Sequence, residues 1–181
     1  SISSLLRHLR SSGVAVGETP DLAAVAFDAR GKTFRHEIYP DYKAHRPETP
    51  DDLQAQFPHA RRLCEVLGLP LLEIAGVEAD DVIGTLSIQA AADGADVVIV
   101  SPDKDFQQLL SDRISIFKPA YRGESFDPIT HESFVEKFGL QPQQFIDVLA
   151  LMGDASDNVP GVPGVGKKTA AKLLAEHGSL D

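Results

Sequence analysis

Eight carboxylates occur in four short acidic groups, at positions that the sequence pattern assigns to loops, strand ends and helix starts. Because like charges repel, gathering such groups in one place requires a counter-charge. Hard divalent cations that prefer oxygen ligands supply it. The acidic groups therefore predict a site for two or more Mg²⁺ or Mn²⁺ ions. Its predicted ligands are Asp28, Glu78, Asp80, Asp81, Asp103, Asp105, Asp154 and Asp157.

A glycine-rich loop over residues 161–169 follows the last acidic group and opens a helix. It nearly matches the phosphate-binding pattern G-x-x-x-x-G-K-[ST], but Lys168 stands where that pattern needs a hydroxyl. The loop also follows an acidic loop and no strand, which disfavours a nucleoside triphosphatase. We interpret it as a helix–loop–helix whose backbone N–H groups hold a duplex phosphate without reading sequence. A tight turn with solvated lysines is the alternative. The predicted contacts are Gly164, Val165, Gly166, Lys167, Lys168 and Thr169.

A basic segment over residues 34–47 mixes cations with aromatic rings. Such mixtures suit single strands and frayed ends, where rings stack on bases and cations meet phosphates. An exposed basic loop with no ligand is the alternative. The six histidines show no metal-ligand spacing and are expected to be surface or structural residues.

Length, composition and charge limit the class of protein to which these motifs belong. The chain has 181 residues, a 43% apolar fraction and a net charge of −10, of which the acidic groups carry eight charges. It is long enough to bury a core. No run of ~18 apolar residues predicts a membrane span. The single cysteine excludes an internal disulfide and fits a reducing, cytoplasmic setting.

Strands and helices alternate along the chain. The pattern predicts strands over 22–27, 71–74, 96–101 and 114–117 and a helix from Pro50 to 67 that Pro58 kinks or divides. Later helices are predicted over 79–90, 105–111, 130–138, 141–152 and 166–176, and an amphipathic helix over 1–10. This predicts an α/β fold with a mostly parallel sheet over 1–138 and a helical region over 139–181.

Ligands of open α/β sheets lie beyond the carboxyl ends of the strands. Asp28 and the pair Asp103 and Asp105 follow two predicted strands, so we expect the acidic groups to converge on one pocket. For any single group, ordinary capping of a helix start is an equal alternative. Capping does not account for pairs of acids at strand ends.

Several motifs of the chain together resemble those of one known protein family. Phe27-Asp28-Ala29, Phe34-Arg35-His36 and Tyr42-Lys43-Ala44-x-Arg46 resemble motifs of the 5′-nuclease domain of bacterial DNA polymerase I. The broader family contains the flap endonucleases and phage 5′-3′ exonucleases. The match spans about residues 20–180 in order. Its other motifs are Glu78-Ala79-Asp80-Asp81, Asp103-Lys104-Asp105, Gly153-Asp154-x-Ser156-Asp157-Asn158 and Gly164-Val165-Gly166-Lys167-Lys168-Thr169-Ala170.

The resemblance implies a two-metal nuclease that removes 5′ flaps and RNA primers. It implies that Asp28, Glu78 and Asp80 serve one metal and that Asp103, Asp105 and Asp157 serve the other. Asp81 and Asp154 take supporting positions. It assigns Arg35 and Lys43 to the scissile phosphate, Arg46 to the 5′ strand and Tyr42 to the frayed end. The glycine loop corresponds to a helix–three-turn–helix that holds duplex DNA, with a K⁺ ion on its carbonyl groups.

The reaction that we expect is in-line hydrolysis, in which metal ions activate water and stabilise the leaving 3′-oxygen. The expected partner is DNA with a 5′ flap, nick or frayed end, or an RNA–DNA hybrid. We expect a monomer near the nucleoid, fused to a polymerase body or free. Family members begin with a strand ending in a metal-binding aspartate, and the chain starts in the following helix, so this piece is expected to be incomplete as an enzyme. A non-catalytic DNA-binding module and a PIN-like ribonuclease are the alternatives.

Overall fold

The computed structural model describes residues 20–118 and 128–180, and these form two compact units. The N-terminal unit comprises residues 21–83 together with 155–159. The C-terminal unit comprises 84–154 together with the residues from 160 onward. The predicted amphipathic helix over 1–10 lies outside the described residues. Within the described ranges, no helix combines the length and the apolar character needed to cross a membrane.

The N-terminal unit is built on a short parallel strand pair. β1 and β2 align Val25 with Leu71, and both strands are shorter than the apolar runs that predicted them. Leu22 belongs to the apolar run that predicted β1, but it is exposed and lies before the strand begins. The elements are β1 (Val25–Ala26), α1 (Phe34–Ile38), α2 (Asp51–Gln54), α3 (Phe57–Val66), β2 (Leu71–Leu72) and the first turn of α4 (Ala79–Ala92).

Proline divides the helical stretch before β2, as the sequence predicts. Pro58 stands in the first turn of α3, where its missing N–H breaks no helical bond. Helix α2 begins at Asp51, one residue later than predicted, because Pro50 has an extended ψ of 143° and serves as the N-cap. The helix α1 was not predicted. It is only five residues long, and the polar, basic composition around it gave no helical periodicity.

The C-terminal unit holds a longer parallel pair. β3 and β4 align Val97 with Ile114, and side chains such as Ile99, Ile116 and Phe117 are buried. Parallel pairing in both units agrees with the predicted α/β class. The elements are the rest of α4, β3 (Val97–Val100), a 3-10 helix (Asp105–Leu109), β4 (Ile114–Phe117), α5 (His131–Phe138), a second 3-10 helix (Pro142–Gln144), α6 (Phe145–Met152), β5 (Gly153–Asp154) and α7 (Lys167–His177). A further short strand, β6 (Val159–Pro160), lies at the boundary between the units.

Two segments of this unit that were predicted to be helical contain 3-10 helix in the structure. The segment after Asp105 is a five-residue 3-10 helix and not an α-helix. The helix predicted over 141–152 is a 3-10 turn followed by α6, because Pro142 begins the turn and the Gln144 side chain accepts from the backbone of Gln141. Helix α5 begins one residue later than predicted, because Thr130 is its N-cap and its side chain accepts from the backbone N–H of Ser133.

Candidate metal and nucleic-acid site

Arg35 and Asp81 form a two-pronged ion pair in the N-terminal unit. Nη1 and Nη2 of Arg35 donate to the two carboxylate oxygens of Asp81 at 2.7 and 2.8 Å. The carboxylate also accepts from the backbone N–H of Glu78, at 2.9 Å, which fixes the start of α4. Arg35 holds the pKa of Asp81 below its usual range, and Asp81 raises the pKa of Arg35. Both groups therefore stay charged at neutral pH.

Tyr42 bridges two predicted metal ligands. Its hydroxyl lies 3.0 Å from Oε2 of Glu78 and 2.9 Å from Oδ2 of Asp157. Burial raises the pKa of Tyr42, and the hydrogen bond to Asp157 raises it further. The residue is 7% exposed, and its ring meets His36 edge-on. The hydroxyl thus faces two carboxylates. The contact of Tyr42 with a frayed DNA end, which the resemblance implies, stays a prediction.

Lys43 also contacts Glu78 and Asp157, and its backbone has the left-handed conformation. Its φ is 55°, and its N–H donates to the carbonyl of Asp157 at 3.0 Å. Its Nζ donates to Oε1 of Glu78 at 2.7 Å and lies 4.0 Å from Oδ1 of Asp157. A left-handed lysine costs about 1–2 kcal/mol. Such strain is typical of functional residues and is held here by the surrounding contacts.

Arg46 ties the basic segment to the short segment 155–159. Its Nη2 donates to Oδ1 of Asp157 at 2.6 Å, and its Nε donates to the carbonyl of Ser156 at 3.0 Å. Asn158, which also has a positive φ of 61°, donates its side-chain amide to the carbonyl of Asp41 at 2.8 Å. The two segments are thus joined by both side-chain and backbone contacts.

The N-terminal unit therefore brings several predicted residues into one ion-pair cluster. Its members are Arg35, Tyr42, Lys43, Arg46, Glu78, Asp81 and Asp157. Asp28 lies beside the start of α4, where Oδ1 accepts from the backbone N–H of Ala79 at 2.7 Å. Asp80 is exposed in the first turn of α4. Capping thus accounts for part of what Asp28 and Asp81 do, as the alternative interpretation foresaw.

The C-terminal unit brings together three other predicted ligands through a lysine. Nζ of Lys104 donates to Oδ2 of Asp154 at 2.6 Å and lies 3.8 Å from Oδ1 of Asp105. The hydrogen bond that Lys104 donates to Asp154 raises the pKa of Lys104. The backbone N–H of Asp105 donates to Oδ1 of Asp103 at 2.9 Å, which fixes the turn after β3. Sequence reasoning missed Lys104, although a lysine between two aspartates was the available signal.

The glycine loop has three differently constrained glycines. Gly164 has a φ of +79°, a left-handed conformation that favours glycine. Gly166 is the extended N-cap of α7, with a φ of −99°, and a Cβ there would meet no atom within 4 Å, so the fold itself does not require glycine at this position. A Cβ on Gly161 would overlap the backbone carbonyl of Met152. Gly161, at the foot of the loop, is therefore the glycine that packing demands.

The two lysines that open α7 differ in their surroundings. Nζ of Lys167 lies over the ring of Phe138, at 4.4 Å, and near that of Phe145, at 5.5 Å. Burial lowers the pKa of Lys167, and the charges of Lys137 and Lys104 lower it further. Both lysines are exposed as whole residues. Lys167 differs in that its ammonium contacts two aromatic rings, so part of its side chain packs against the fold.

The chemistry of the predicted ligands indicates which metal ions the site would bind. The predicted ligands are all carboxylates, which are hard oxygen donors and fit Mg²⁺ or Mn²⁺. A separate mixed group in the described part of the C-terminal unit, formed by Asp112, His131 and Glu132, has ligand atoms within 4.8 Å of one another. Glu132 lies in the first turn of α5, where an acidic side chain is favoured by the helix dipole, and its pKa is lowered by its own backbone N–H and by Thr130. The convergence of all four acidic groups on one pocket, like the ligand assignments and the boundary at 138, stays a prediction.

Family models match almost the whole chain. Residues 2–139 match the N-terminal, resolvase-like domain of 5′-3′ exonucleases, and residues 140–181 match their C-terminal SAM fold. The chain is 50% identical to DNA polymerase I of Streptococcus pneumoniae over 163 residues, 90% of this chain and 18% of that protein. It is 45% identical to the thermostable DNA polymerase I of Thermus filiformis over 178 residues, 98% of this chain and 20% of that protein. The chain thus spans about a fifth of these relatives.

Solved structures agree with the sequence relatives. The 5′-exonuclease of bacteriophage T5, solved with bound zinc, superimposes with a TM-score of 0.78 at 28% identity, over 98% of this chain and 66% of that one. The catalytic core of Rad2 in complex with DNA shares the fold, with a TM-score of 0.55 at 20% identity, over 99% of this chain and 52% of that one. The chain therefore belongs to the 5′-3′ exonuclease and flap endonuclease family, homologous to the 5′-nuclease domain of DNA polymerase I.

Proposed function

We propose that this chain is the 5′-nuclease region of a bacterial DNA polymerase I and that, with divalent metal, it hydrolyses phosphodiester bonds near the 5′ ends of DNA flaps. The observation that carries the proposal is the ion-pair cluster, in which three cations from one short segment alternate with three carboxylates. Cations suited to phosphate and carboxylates suited to metal therefore occupy the same place.

The metal ligands would be the eight carboxylates of the acidic groups. Bound Mg²⁺ or Mn²⁺ would supply Lewis-acid activation of water and neutralise charge on the leaving oxygen. Family resemblance assigns Asp28, Glu78 and Asp80 to one ion and Asp103, Asp105 and Asp157 to the other. Oxygen-only donors support this choice of metal. The related phage structures, one with zinc and one with metal ions, support a metal site but do not identify the ion.

Lys43 and Arg35 are the groups that we assign to the reacting phosphate. Each is held by a carboxylate at hydrogen-bond distance, Lys43 by Glu78 and Arg35 by Asp81. A fixed ammonium or guanidinium stabilises charge that develops on a phosphoryl group without first reorganising. Arg46 is half-exposed and suits the neighbouring 5′-strand phosphate. Tyr42 orients Glu78 and Asp157 by donating from its protonated hydroxyl.

Duplex binding is assigned to the glycine loop and the start of α7. Gly166 caps α7 without a side-chain hydrogen bond, so the first-turn N–H groups have no cap to compete with a phosphate. Lys168 adds an exposed charge beside them. A K⁺ ion on the loop carbonyls is part of the proposal. Contacts of this kind position a duplex and carry no sequence information.

The substrate class follows from the relatives. A related phage T5 flap endonuclease was solved with DNA and metal ions, and Rad2 was solved with DNA. We infer a DNA substrate with a 5′ flap, nick or frayed end, including RNA primers paired to DNA. Because the chain covers only 18% and 20% of these relatives, we also infer that it is fused to a polymerase body. A monomer that works in the cytoplasm at the nucleoid is part of the same proposal.

The decisive experiment compares cleavage with binding in the full-length protein. Lys43→Ala should lower the single-turnover rate on a 5′-flap substrate by about 10²-fold, as the loss of an oxyanion donor does, with little change in the Kd for that substrate. Arg62→Gln is the matched control, because Arg62 pairs with Glu65 on the exposed face of α3. Equal losses in rate and affinity would make Lys43 a docking residue only.

The same assay separates the alternatives. A wild-type protein that binds flaps in Mg²⁺ and never cleaves them would be a DNA-binding module. One that cleaves single-stranded RNA and ignores DNA flaps would be a PIN-like ribonuclease.

A further inference from the structure

Lys104 stands among three carboxylates of the C-terminal unit. Its ammonium lies 2.6 Å from Oδ2 of Asp154 and 3.8 Å from Oδ1 of Asp105, and the charge of Asp103 also acts on it. The side chain of Lys104 is 42% exposed, whereas that of Asp154 is 19% exposed. A partly buried carboxylate is thus paired at 2.6 Å with a lysine to which no role has been assigned.

The position of Lys104 in the chain explains how it makes these contacts. The turn after β3 is fixed by two local bonds, from the N–H of Asp103 to Oγ of Ser101 and from the N–H of Asp105 to Oδ1 of Asp103. Lys104 is the N-cap of the 3-10 helix that follows. Its side chain therefore leaves a rigid turn and reaches Asp154, which follows α6 fifty residues later.

The positive charge of Lys104 also changes the net charge of the acidic group formed by Asp103, Asp105 and Asp154. Three carboxylates carry −3, and the ammonium of Lys104 reduces this to −2, the charge that one divalent cation neutralises. Without a lysine, the three carboxylates would repel one another more strongly in the absence of metal. The same ammonium also repels an incoming cation, so it weakens metal binding at this place.

We propose that Lys104 is a positioning residue that holds Asp154 against the 103–105 turn and sets the affinity of this acidic group for divalent metal. The inference rests on the proposed function for its link to cleavage, but its charge and tethering effects do not require DNA. Lys104 stabilises the metal-free acidic group, opposes metal binding and keeps Asp154 in place for the metal-loaded state.

The test uses the full-length protein and Mn²⁺. Lys104→Met should lower the Tm measured in EDTA, because the carboxylates lose their counter-charge. It should also tighten Mn²⁺ binding about tenfold, by titration calorimetry, because a nearby positive charge is gone. Lys104→Arg should restore both values. A role in structure alone predicts that metal-free stability and Mn²⁺ affinity fall together, and that result, or no change in affinity, would overturn the proposal.

Two further variants complete the test. Lys104→Gln keeps a donor for Asp154 without the charge, so it should tighten Mn²⁺ binding while retaining more single-turnover flap cleavage at saturating Mg²⁺ than Lys104→Met. Equal rates for these two variants would overturn the tethering role. Lys172→Met, which removes a surface lysine paired with Glu176, is the control and should leave Mn²⁺ affinity unchanged. If the wild type fails to cleave but the titrations behave as stated, the proposed function fails and the charge effect stands.

Discussion

The pair formed by Arg35 and Asp81 gives a quantitative test of how the candidate site is held together. Asp81 receives two short bonds from Arg35 and one from the N–H of Glu78. The side chains of the pair are 30% and 26% exposed, so the interaction lies between a surface pair, worth about 0–1 kcal/mol, and a buried pair, whose breakage costs about 3–5 kcal/mol. We expect Asp81→Asn to cost about 2 kcal/mol of unfolding free energy.

Urea unfolding measures this loss directly. The chain has no tryptophan, so far-ultraviolet circular dichroism is the suitable signal. With a urea dependence of about 2 kcal/mol per molar, the midpoint for Asp81→Asn should fall by about 1 M in EDTA at pH 7. Asp93→Asn is the control of equal charge change, because Asp93 is exposed just after α4. It should leave the midpoint nearly unchanged.

The effect must also depend on pH with a definite sign. The pKa of Asp81 in the folded state is lowered, chiefly by Arg35, from its usual value of 3.8. Its stabilisation is therefore fully present above about pH 4 and is lost as pH falls through the lowered pKa. The difference between the wild type and Asp81→Asn should stay constant from pH 8 to pH 5 and shrink below pH 4. Equal midpoints at pH 7, or a difference that persists in acid, would refute this account of the pair.

Two other predictions address metal and duplex binding. Asp103→Asn combined with Asp105→Asn should abolish flap cleavage and reduce the rise in Tm that Mn²⁺ produces by mass action, and an undiminished rise would remove these residues from the metal site. Lys168→Ala should lower the log–log salt slope of duplex binding by up to ~0.9, since it deletes one phosphate contact. Lys167→Ala should change that slope less and lower the Tm more, because Lys167 packs over Phe138, and equal slopes for the two variants would contradict this division.

Much of the fold follows from local sequence signals. Strand β4 is observed over the four predicted residues. Helices α5 and α7 begin one residue after their predicted first residues, Thr130 and Gly166, which serve as the N-caps. These signals are local, since apolar runs, capping residues and glycines act within a few positions. The strands β1 and β2 are shorter than predicted, because their parallel register covers only two residue pairs, Val25 with Leu71 and Ala26 with Leu72.

The candidate site was less accessible to sequence reasoning. The types of its residues were predictable, but their partners were not, because Tyr42 and Asp157 are 115 positions apart and only the fold brings them together. The same holds for Lys104, whose partner Asp154 is 50 positions away. The left-handed backbone of Lys43 has no sequence signal at all, since lysine has no preference for a positive φ.

Ion pairing between the basic segment and the carboxylates bears on how a chain with a net charge of −10 would bind the DNA substrate proposed above. In the ion-pair cluster, each cation of the basic segment is already held by a carboxylate, so the cluster carries little net charge. A phosphate that binds Lys43 or Arg46 must compete with Glu78 or Asp157, and a divalent cation that binds these carboxylates must compete with the same lysine and arginine. A metal ion bound to Glu78 or Asp157 therefore frees Lys43 or Arg46 to bind a phosphate. A phosphate bound to Lys43 or Arg46 likewise frees these carboxylates to bind metal. Binding of metal and of phosphate should favour one another for this reason, and by linkage the gain in affinity is the same whichever ligand binds first.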